Sequence, residues 1–112
     1  MPIRHRMKLT SESFEQVKTG KQLFEFRIND EKRKAFKVGE RIELAKLPDL
    51  GTSVIVEITS LDVYQDFSEL YHQKPEAVLD YTEAEFLQRM RAFYTEDEEE
   101  KYGVVAIGIR LV

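Results

Sequence analysis

The sequence has 112 residues, a net charge of −4, no cysteine and a hydrophobic fraction of 42%. This length and apolar content predict one globular domain, residues 1–112, with a core that needs no disulfides. The missing cysteines exclude disulfides and thiolate metal sites. The chain start lacks the apolar core of a signal peptide, and no apolar run approaches the ~20 residues of a membrane helix. We therefore expect a cytoplasmic protein that does not enter a membrane.

Charge is distributed unevenly along the chain. Residues 1–41 hold 11 Lys/Arg and 6 Asp/Glu, whereas residues 42–112 hold 6 Lys/Arg and 15 Asp/Glu. A basic part and an acidic part in one domain predict one positively charged surface region. They do not predict tight, sequence-independent binding of nucleic acid, because that usually needs a strongly basic domain.

The first half of the chain shows strand and helix patterns in turn. Alternation of apolar and polar residues predicts three strands, at residues 4–9, 40–46 and 53–60, and the last of them can run on to Tyr64. Thr10 is a typical helix N-cap and Gly20 a typical helix end, so a helix is predicted between them. The turn formers and mixed charges of residues 29–34 predict a short helix or a loop.

The stretch from Gly20 to Arg27 predicts a strand with two different faces. Side chains alternate along a strand, so Phe24, Phe26 and Ile28 share one face and are typical of a core. The other face carries a row of charged residues, namely Lys21, Glu25 and Arg27, with Leu23 among them. This row is either an ordinary solvated face or one wall of a polar pocket. The residues alone favour the solvated face, since charged side chains are mostly exposed.

The second half predicts a helical block and a closing strand. Asp66 caps a short helix, and Thr82 and Thr95 are each followed three residues later by Glu, which is the spacing of a capping box. These signals predict a helix at residues 83–93 and a short acidic helix after Thr95. A β-branched run from residue 104 to 112 predicts the last strand. Gly108 within it indicates either open space beside Arg110 or, as we favour, a close neighbouring strand.

The predicted strands and helices do not alternate one by one along the chain, and this argues against a doubly wound sheet. The order predicts an α+β fold, a small closed or half-open β-barrel of about five or six strands with helices packed at its rim.

Few residues carry recognisable chemistry. His5 and His72 have no partner at metal-ligand spacing, so no metal site is predicted. The sequence contains no phosphate-binding glycine loop, dinucleotide fingerprint or nucleophile motif, and no cofactor is predicted. One constellation stands out, consisting of Lys21, Glu25, Arg27 and Arg110. An arginine can hold a phosphate or base edge, and a carboxylate can accept from an exocyclic amine. An ion pair on the sheet surface is the alternative explanation.

Four motifs, taken in their order along the chain, resemble the ASCH domain family. They are Phe14-x-x-Val17-x-x-Gly20-Lys21 running into Glu25-x-Arg27, the Lys37–Glu40 turn, Tyr64-x-Asp66-Phe67, and the run from Lys101 to Ile107. The resemblance spans essentially the whole chain and implies a PUA-like barrel. It also implies a cleft beside the strand at residues 20–27, in which family members bind RNA or nucleotide-like ligands.

One branch of this family is enzymatic and implies a different function. Its small bacterial members resemble amidohydrolases that act on N4-acetylcytidine with a lysine, a threonine nucleophile and a glutamate. An alignment through Gly20 and Arg27 places the lysine on Gln22 and the threonine on Glu25, and a shift by one places the threonine on Phe24. No alignment supplies the nucleophile, so whether the chain is an enzyme stays open. Lys21 and Glu25 are the catalytic candidates if it is one.

The sequence thus predicts a protein that binds RNA or a nucleotide-like small molecule through the four residues of the constellation. The helical block, residues 66–100, is expected to form the far wall of the cleft. Two alternatives remain: a hydrolase, acting on a modified nucleoside or as a ribonuclease, and a protein-interaction module that uses the acidic run Glu96–Glu100.

Overall fold

A computed structural model describes residues 2–112 of the protein. The strands of this range are β1 (Ile3–Leu9), β2 (Phe24–Ile28), β3 (Arg41–Lys46), β4 (Ser53–Tyr64) and β5 (Val104–Leu111). Its α-helices are α1 (Ser11–Lys18), α2 (Glu31–Lys34), α3 (Phe67–Gln73), α4 (Glu83–Arg91) and α5 (Glu96–Tyr102), and a 3₁₀ turn spans Pro75–Ala77. Among residues 2–112, no helix has the length and apolar character needed to cross a membrane.

The five strands form one sheet in the order β1-β3-β4-β5-β2. β1 runs parallel to β3, and β3 runs antiparallel to β4. The predicted α+β class and the five strands are confirmed, and β4 does run on to Tyr64. Helix α4 ends two residues earlier than predicted. The amides of Phe93 and Tyr94 both donate to the carbonyl of Met90, which closes the helix before the next cap at Thr95.

The chain divides into two compact units. The first comprises residues up to Glu25, Phe36–Leu61 and Ile107–Val112, and the second comprises Phe26–Ala35 and Asp62–Ala106. Three of the four boundaries fall inside strands, namely β2, β4 and β5. The sequence-based expectation of a single domain stays a prediction.

The first unit has its core between helix α1 and strands β1 and β3. Phe14 and Val17, at the i, i+3 spacing of one helix face, are fully buried. Met7 of β1 lies opposite Leu44 of β3, and both are buried. The strands of this unit therefore bury one face, as their alternating sequences predict.

The second unit has a core rich in aromatic side chains. Its buried members are Ile28, Phe67, Leu70, Val78, Phe86, Met90, Val104 and Ala106. The Tyr71 hydroxyl donates to the carbonyl of Tyr81 at 2.8 Å, which satisfies a polar group at the edge of this core. Both predicted capping boxes are present, with Thr82 and Glu85 at α4 and Thr95 and Glu98 at α5.

Gly108 marks a close approach of neighbouring strands, as favoured from the sequence. A Cβ atom at this position would overlap Ser60 Oγ and Thr59 Oγ1 and would lie 3.2 Å from the Ser60 amide nitrogen. Both neighbours belong to β4, the strand beside β5 in the sheet. The absence of a side chain at residue 108 therefore lets the two strands pack.

One polar contact ties β1 to the loop before β3. His5 Nε2 lies 2.8 Å from Glu40 Oε1, the Lys37 amide donates to the same oxygen at 2.9 Å, and Arg4 Nε lies 3.8 Å from Glu40 Oε2. The His5 ring packs on Phe36, with ring centroids 4.2 Å apart. The hydrogen bond from His5 lowers the pKa of Glu40 below its ordinary value of 4.5, since it outweighs the opposing effect of burial, and the Lys37 amide adds to the lowering.

We expect this contact to make stability depend on pH in the acid range. A carboxyl group with a lowered folded-state pKa stabilises the fold above its ordinary pKa of 4.5, and this contribution is lost as the pH falls through the folded pKa. The Glu40→Gln variant should therefore lose less stability than the parent between neutral pH and pH ~3. Urea unfolding at a series of pH values tests this, with the exposed Glu12→Gln as control. Parallel curves for parent and Glu40→Gln would contradict it.

Candidate functional site

Lys21 is positioned by the end of helix α1. Gly20 has a φ of +79°, a conformation that favours glycine, and it turns the chain back toward the helix. The amides of Lys21 and Gln22 then both donate to the carbonyl of Gln16, at 2.9 and 3.1 Å. This arrangement fixes the backbone of Lys21 and leaves its side chain exposed just before β2.

Glu25 is a buried charged residue on β2. The amide of Ile109 donates to the carbonyl of Leu23, and that of Asn29 donates to the carbonyl of Gly103, so β2 and β5 run antiparallel. Leu23 and Ile109 therefore face the same side of the sheet, and Glu25, two residues after Leu23, shares that side. Glu25 is only 9% exposed and Ile109 is 4% exposed. The explanation of this row as an ordinary solvated face is therefore wrong at Glu25.

Arg27 is the next residue on the same side of β2. It is half-buried and belongs to the second unit. The strand predicted for residues 20–27 is confirmed only from Phe24 onward, because the hydrogen bonds from Lys21 and Gln22 back to Gln16 hold residues 20–23 at the end of helix α1. The part of Arg27 in a ligand site stays a prediction.

The structure does not bring Arg110 together with Glu25. Arg110 follows Ile109 in β5, so its side chain lies on the opposite face of the sheet. There its Nη2 donates to Glu57 Oε2 of β4 at 2.6 Å, and the side chain is 67% exposed. The sequence could not reveal this pairing, because it depends on which strands are neighbours.

The helical block contains a groove of about 310 Å³. Its lining residues are Gln65, Asp66, Ser68, Leu87, Arg91, Glu96, Glu99 and Glu100. Arg91 Nη2 donates to Glu99 Oε1 at 2.9 Å, and Glu99 is buried. The sequence places Glu99 in an acidic run and gives no sign of this burial. One member of the run proposed for protein contacts is therefore engaged within the fold.

A serine, a glutamate and a histidine meet between α3 and α4. Ser68 Oγ donates to Glu83 Oε2 at 2.7 Å, and His72 Nε2 lies 3.2 Å from the same oxygen. The hydrogen bond from Ser68 lowers the pKa of Glu83, as does the nearby His72, against the opposing effect of burial. A nucleophilic serine needs a base that accepts its proton and is itself oriented by a third group. Here Ser68 and His72 both contact the Glu83 carboxylate, so they do not form the serine–base–orienting group sequence of a nucleophilic site. The three side chains instead link helices α3 and α4.

Among residues 2–112, no group of three or more His, Cys, Asp or Glu side chains is arranged to hold a metal ion.

Fold and motif order define a small PUA-like α+β protein. The sequence matches the ASCH domain family over residues 7–112, and the chain belongs to that family. No curated protein matches the sequence.

Several solved structures are similar to the chain. The crystal structure of the hypothetical protein PH0355 has 35% identity and a TM-score of 0.84, covering 96% of this chain and 98% of that one. Protein PF0455 from Pyrococcus furiosus has 34% identity and a TM-score of 0.73, with coverage of 97% and 98%. An ASCH protein from Zymomonas mobilis has 15% identity and a TM-score of 0.59, with coverage of 94% and 65%, and this likeness concerns the fold alone. The predicted PUA-like fold is confirmed.

Proposed function

We propose that the protein binds RNA or a nucleotide-like small molecule at the charged side of β2, through Lys21, Glu25 and Arg27. The observation that carries this proposal is the burial of Glu25 on the strand that the family resemblance marks as the ligand-binding strand. Burying a charged group is unfavourable unless it is hydrogen-bonded or paired, so such groups concentrate where function needs them. This supports a recognition role for Glu25 over an ordinary surface role.

Each residue has a distinct part in this proposal. Arg27 contacts a phosphate or a base edge, because its planar guanidinium can form two parallel hydrogen bonds. Glu25 accepts a hydrogen bond from an exocyclic amine of the base. Lys21, exposed at the start of the strand, attracts the negatively charged ligand. Arg110 is the fourth candidate from the sequence. It is tested separately because its side chain binds Glu57 on the opposite face of the sheet.

We would test the proposal by NMR titration of isotope-labelled protein with cytidine monophosphate, N4-acetylcytidine and short single-stranded RNA. We expect shifts that cluster on residues 21–28. Glu25→Gln and Arg27→Ala should each weaken binding roughly 10- to 100-fold, as expected for the loss of a charge-assisted hydrogen bond. Arg89→Ala, at another half-buried arginine, and Glu43→Gln serve as matched controls and should leave binding unchanged.

Two outcomes would overturn the proposal. The first is the absence of any shift near β2 at millimolar ligand, and the second is an equal loss of binding in the control variants. New product peaks in the same samples would extend the proposal from binding to catalysis. If Arg110→Ala also loses nucleotide binding, Arg110 belongs to the ligand-binding residues as the sequence predicts.

A further inference from the structure

Strand β2 lies at one end of the sheet. Within the part of the chain that the structure describes, its neighbour in the sheet is β5 alone. The Leu23 carbonyl and the Asn29 amide are both hydrogen-bonded to β5, so the odd-numbered residues of β2 direct their backbone groups toward that strand. The even-numbered residues, Phe26 and Ile28 among them, therefore direct their backbone groups to the outer edge of the sheet.

The strand at the other end of the sheet, β1, has features that oppose pairing with a further strand. Its register against β3 shifts between Ile3 and His5, and irregularities of this kind turn an edge away from a partner. Basic residues recur at every second position of β1, so a second copy running antiparallel to it would place like charges opposite one another. The β2 segment Phe24–Ile28, in contrast, is rich in aromatic and β-branched residues and contains neither lysine nor proline. The edge of β2 is thus the one suited to a strand partner.

The charges of β2 are complementary to those of a second copy of the same strand. When two copies run antiparallel with Phe26 opposite the partner's Phe26, Glu25 lies opposite the partner's Arg27, and Arg27 lies opposite the partner's Glu25. Opposite charges at directly opposed positions stabilise a strand pair. A register centred on residue 25, 27 or 28 places two like charges opposite each other, and one centred on residue 24 places Arg27 opposite the partner's Lys21. Among registers centred on a residue of β2, the one at Phe26 alone pairs opposite charges.

The direction of the backbone groups agrees with this register. Phe26 and the partner's Phe26 both direct their backbone groups to the outer edge, so they can form a hydrogen-bonded pair. Glu25 and the partner's Arg27 then form a non-hydrogen-bonded pair, in which the two Cα atoms lie only about 4.5 Å apart. A guanidinium has several donors and a carboxylate several acceptor sites, so both groups can take this partner beside the contacts within their own chain. A cation on the same face also favours the burial of Glu25.

From this geometry we infer that two copies of the chain associate through the outer edges of their β2 strands and form a two-fold symmetric dimer. The sheet of one copy continues into the sheet of the other, and each Glu25 binds the partner's Arg27. The same residues serve both sides of such an interface. Leu23, which is 58% exposed in the single chain, lies opposite the partner's Asn29 and is partly covered by it. The dimer is independent of nucleotide binding, because it follows from the strand order and the charges of β2.

The first test is sedimentation equilibrium without nucleotide, in which the parent should show an equilibrium between monomer and dimer. Arg27→Glu places carboxylates opposite each other at both ends of the interface and should weaken the dimer at least about tenfold. Glu25→Arg/Arg27→Glu exchanges the two charges and should restore dimer formation. The same exchange should not restore nucleotide binding, because it moves the groups proposed to contact the ligand. Arg89→Glu, at another half-buried arginine, is the matched control and should leave the dimer unchanged.

The second test is disulfide cross-linking, which needs no change to Glu25 and uses a chain that has no cysteine of its own. Leu23 and the partner's Asn29 form a closely spaced pair in this register, so Leu23→Cys/Asn29→Cys should oxidise to a disulfide-linked dimer. Within one chain the two positions lie about 20 Å apart along the strand, which is too far for a disulfide. Leu23→Cys/Leu79→Cys, with its second cysteine at an exposed position outside β2, should form no more than a trace of linked dimer.

Three results would each overturn the inference. They are a parent that stays monomeric at millimolar concentration, a folded charge-exchanged variant that dimerises no better than Arg27→Glu, and equal cross-linking of the two cysteine variants. Nucleotide-induced shifts at residues 21–28 report on ligand binding separately, so the failure of one proposal is distinguishable from the failure of the other.

Discussion

Replacing Phe86 with alanine is expected to lower the free energy of unfolding by about 3–5 kcal/mol. Phe86 is 1% exposed and lies at the centre of the core of the second unit. Its ring meets Phe26 and Phe67 edge-on, with centroids 5.1 and 6.0 Å apart. The substitution removes a large apolar side chain and these ring contacts, and it leaves a cavity that tightly packed neighbours fill only in part. The loss is a large share of the ~5–15 kcal/mol by which a domain is usually stable.

Phe93 provides a matched control near the end of the same helix. It is 58% exposed, so Phe93→Ala should change the free energy of unfolding by less than about 0.5 kcal/mol. Urea titration of the two variants and the parent measures the difference directly. A loss below about 1 kcal/mol for Phe86→Ala would show that the aromatic core is not packed as described.

The second large effect is expected at the pair Arg91 and Glu99. Arg91→Met should destabilise the protein by about 2–3 kcal/mol, because it leaves a buried carboxylate without the arginine that contacts it. Complete loss of a partner in a fully buried pair has a larger effect, about 3–5 kcal/mol, but the Arg91 side chain is 37% exposed, which reduces the expectation here.

A double substitution separates loss of the partner from loss of packing. Glu99→Gln removes the carboxylate, so Arg91→Met/Glu99→Gln should recover at least half of the stability that Arg91→Met loses. The neighbouring exposed Glu100→Gln should have no measurable effect in either background. If the double variant is as unstable as the sum of the two single variants, the carboxylate and the guanidinium do not interact.

Local signals in the sequence predict the structure best. The capping boxes at Thr82 and Thr95 and the end of α1 at Gly20 depend on a few consecutive residues, and all three are observed. Gly108 was also interpreted correctly, because a glycine in a β-branched run has few explanations. These positions suffice to predict the order of elements and the α+β class.

The features that the sequence did not reveal all depend on distant partners. Glu25 looks like a surface residue until β5 is placed beside β2, and Glu99 looks like one until Arg91 of a preceding helix approaches it. Arg110 alternates with apolar residues along β5, as many exposed charged residues do on a strand. Only the strand register identifies Glu57 as its neighbour. A period-two pattern shows that a strand has two faces, but it does not show what covers each face.

The order of strands in the sheet has a consequence for synthesis on the ribosome. β1 and β2 are the first two strands of the chain, yet they occupy the two outer positions of the sheet. β2 neighbours only β5, which is the last strand to emerge from the exit tunnel. The nascent chain must therefore carry the Glu25 strand unpaired while some 75 further residues are translated, a stage in which exposed strand edges favour aggregation. Chaperone contact with the emerging chain would matter most at this strand.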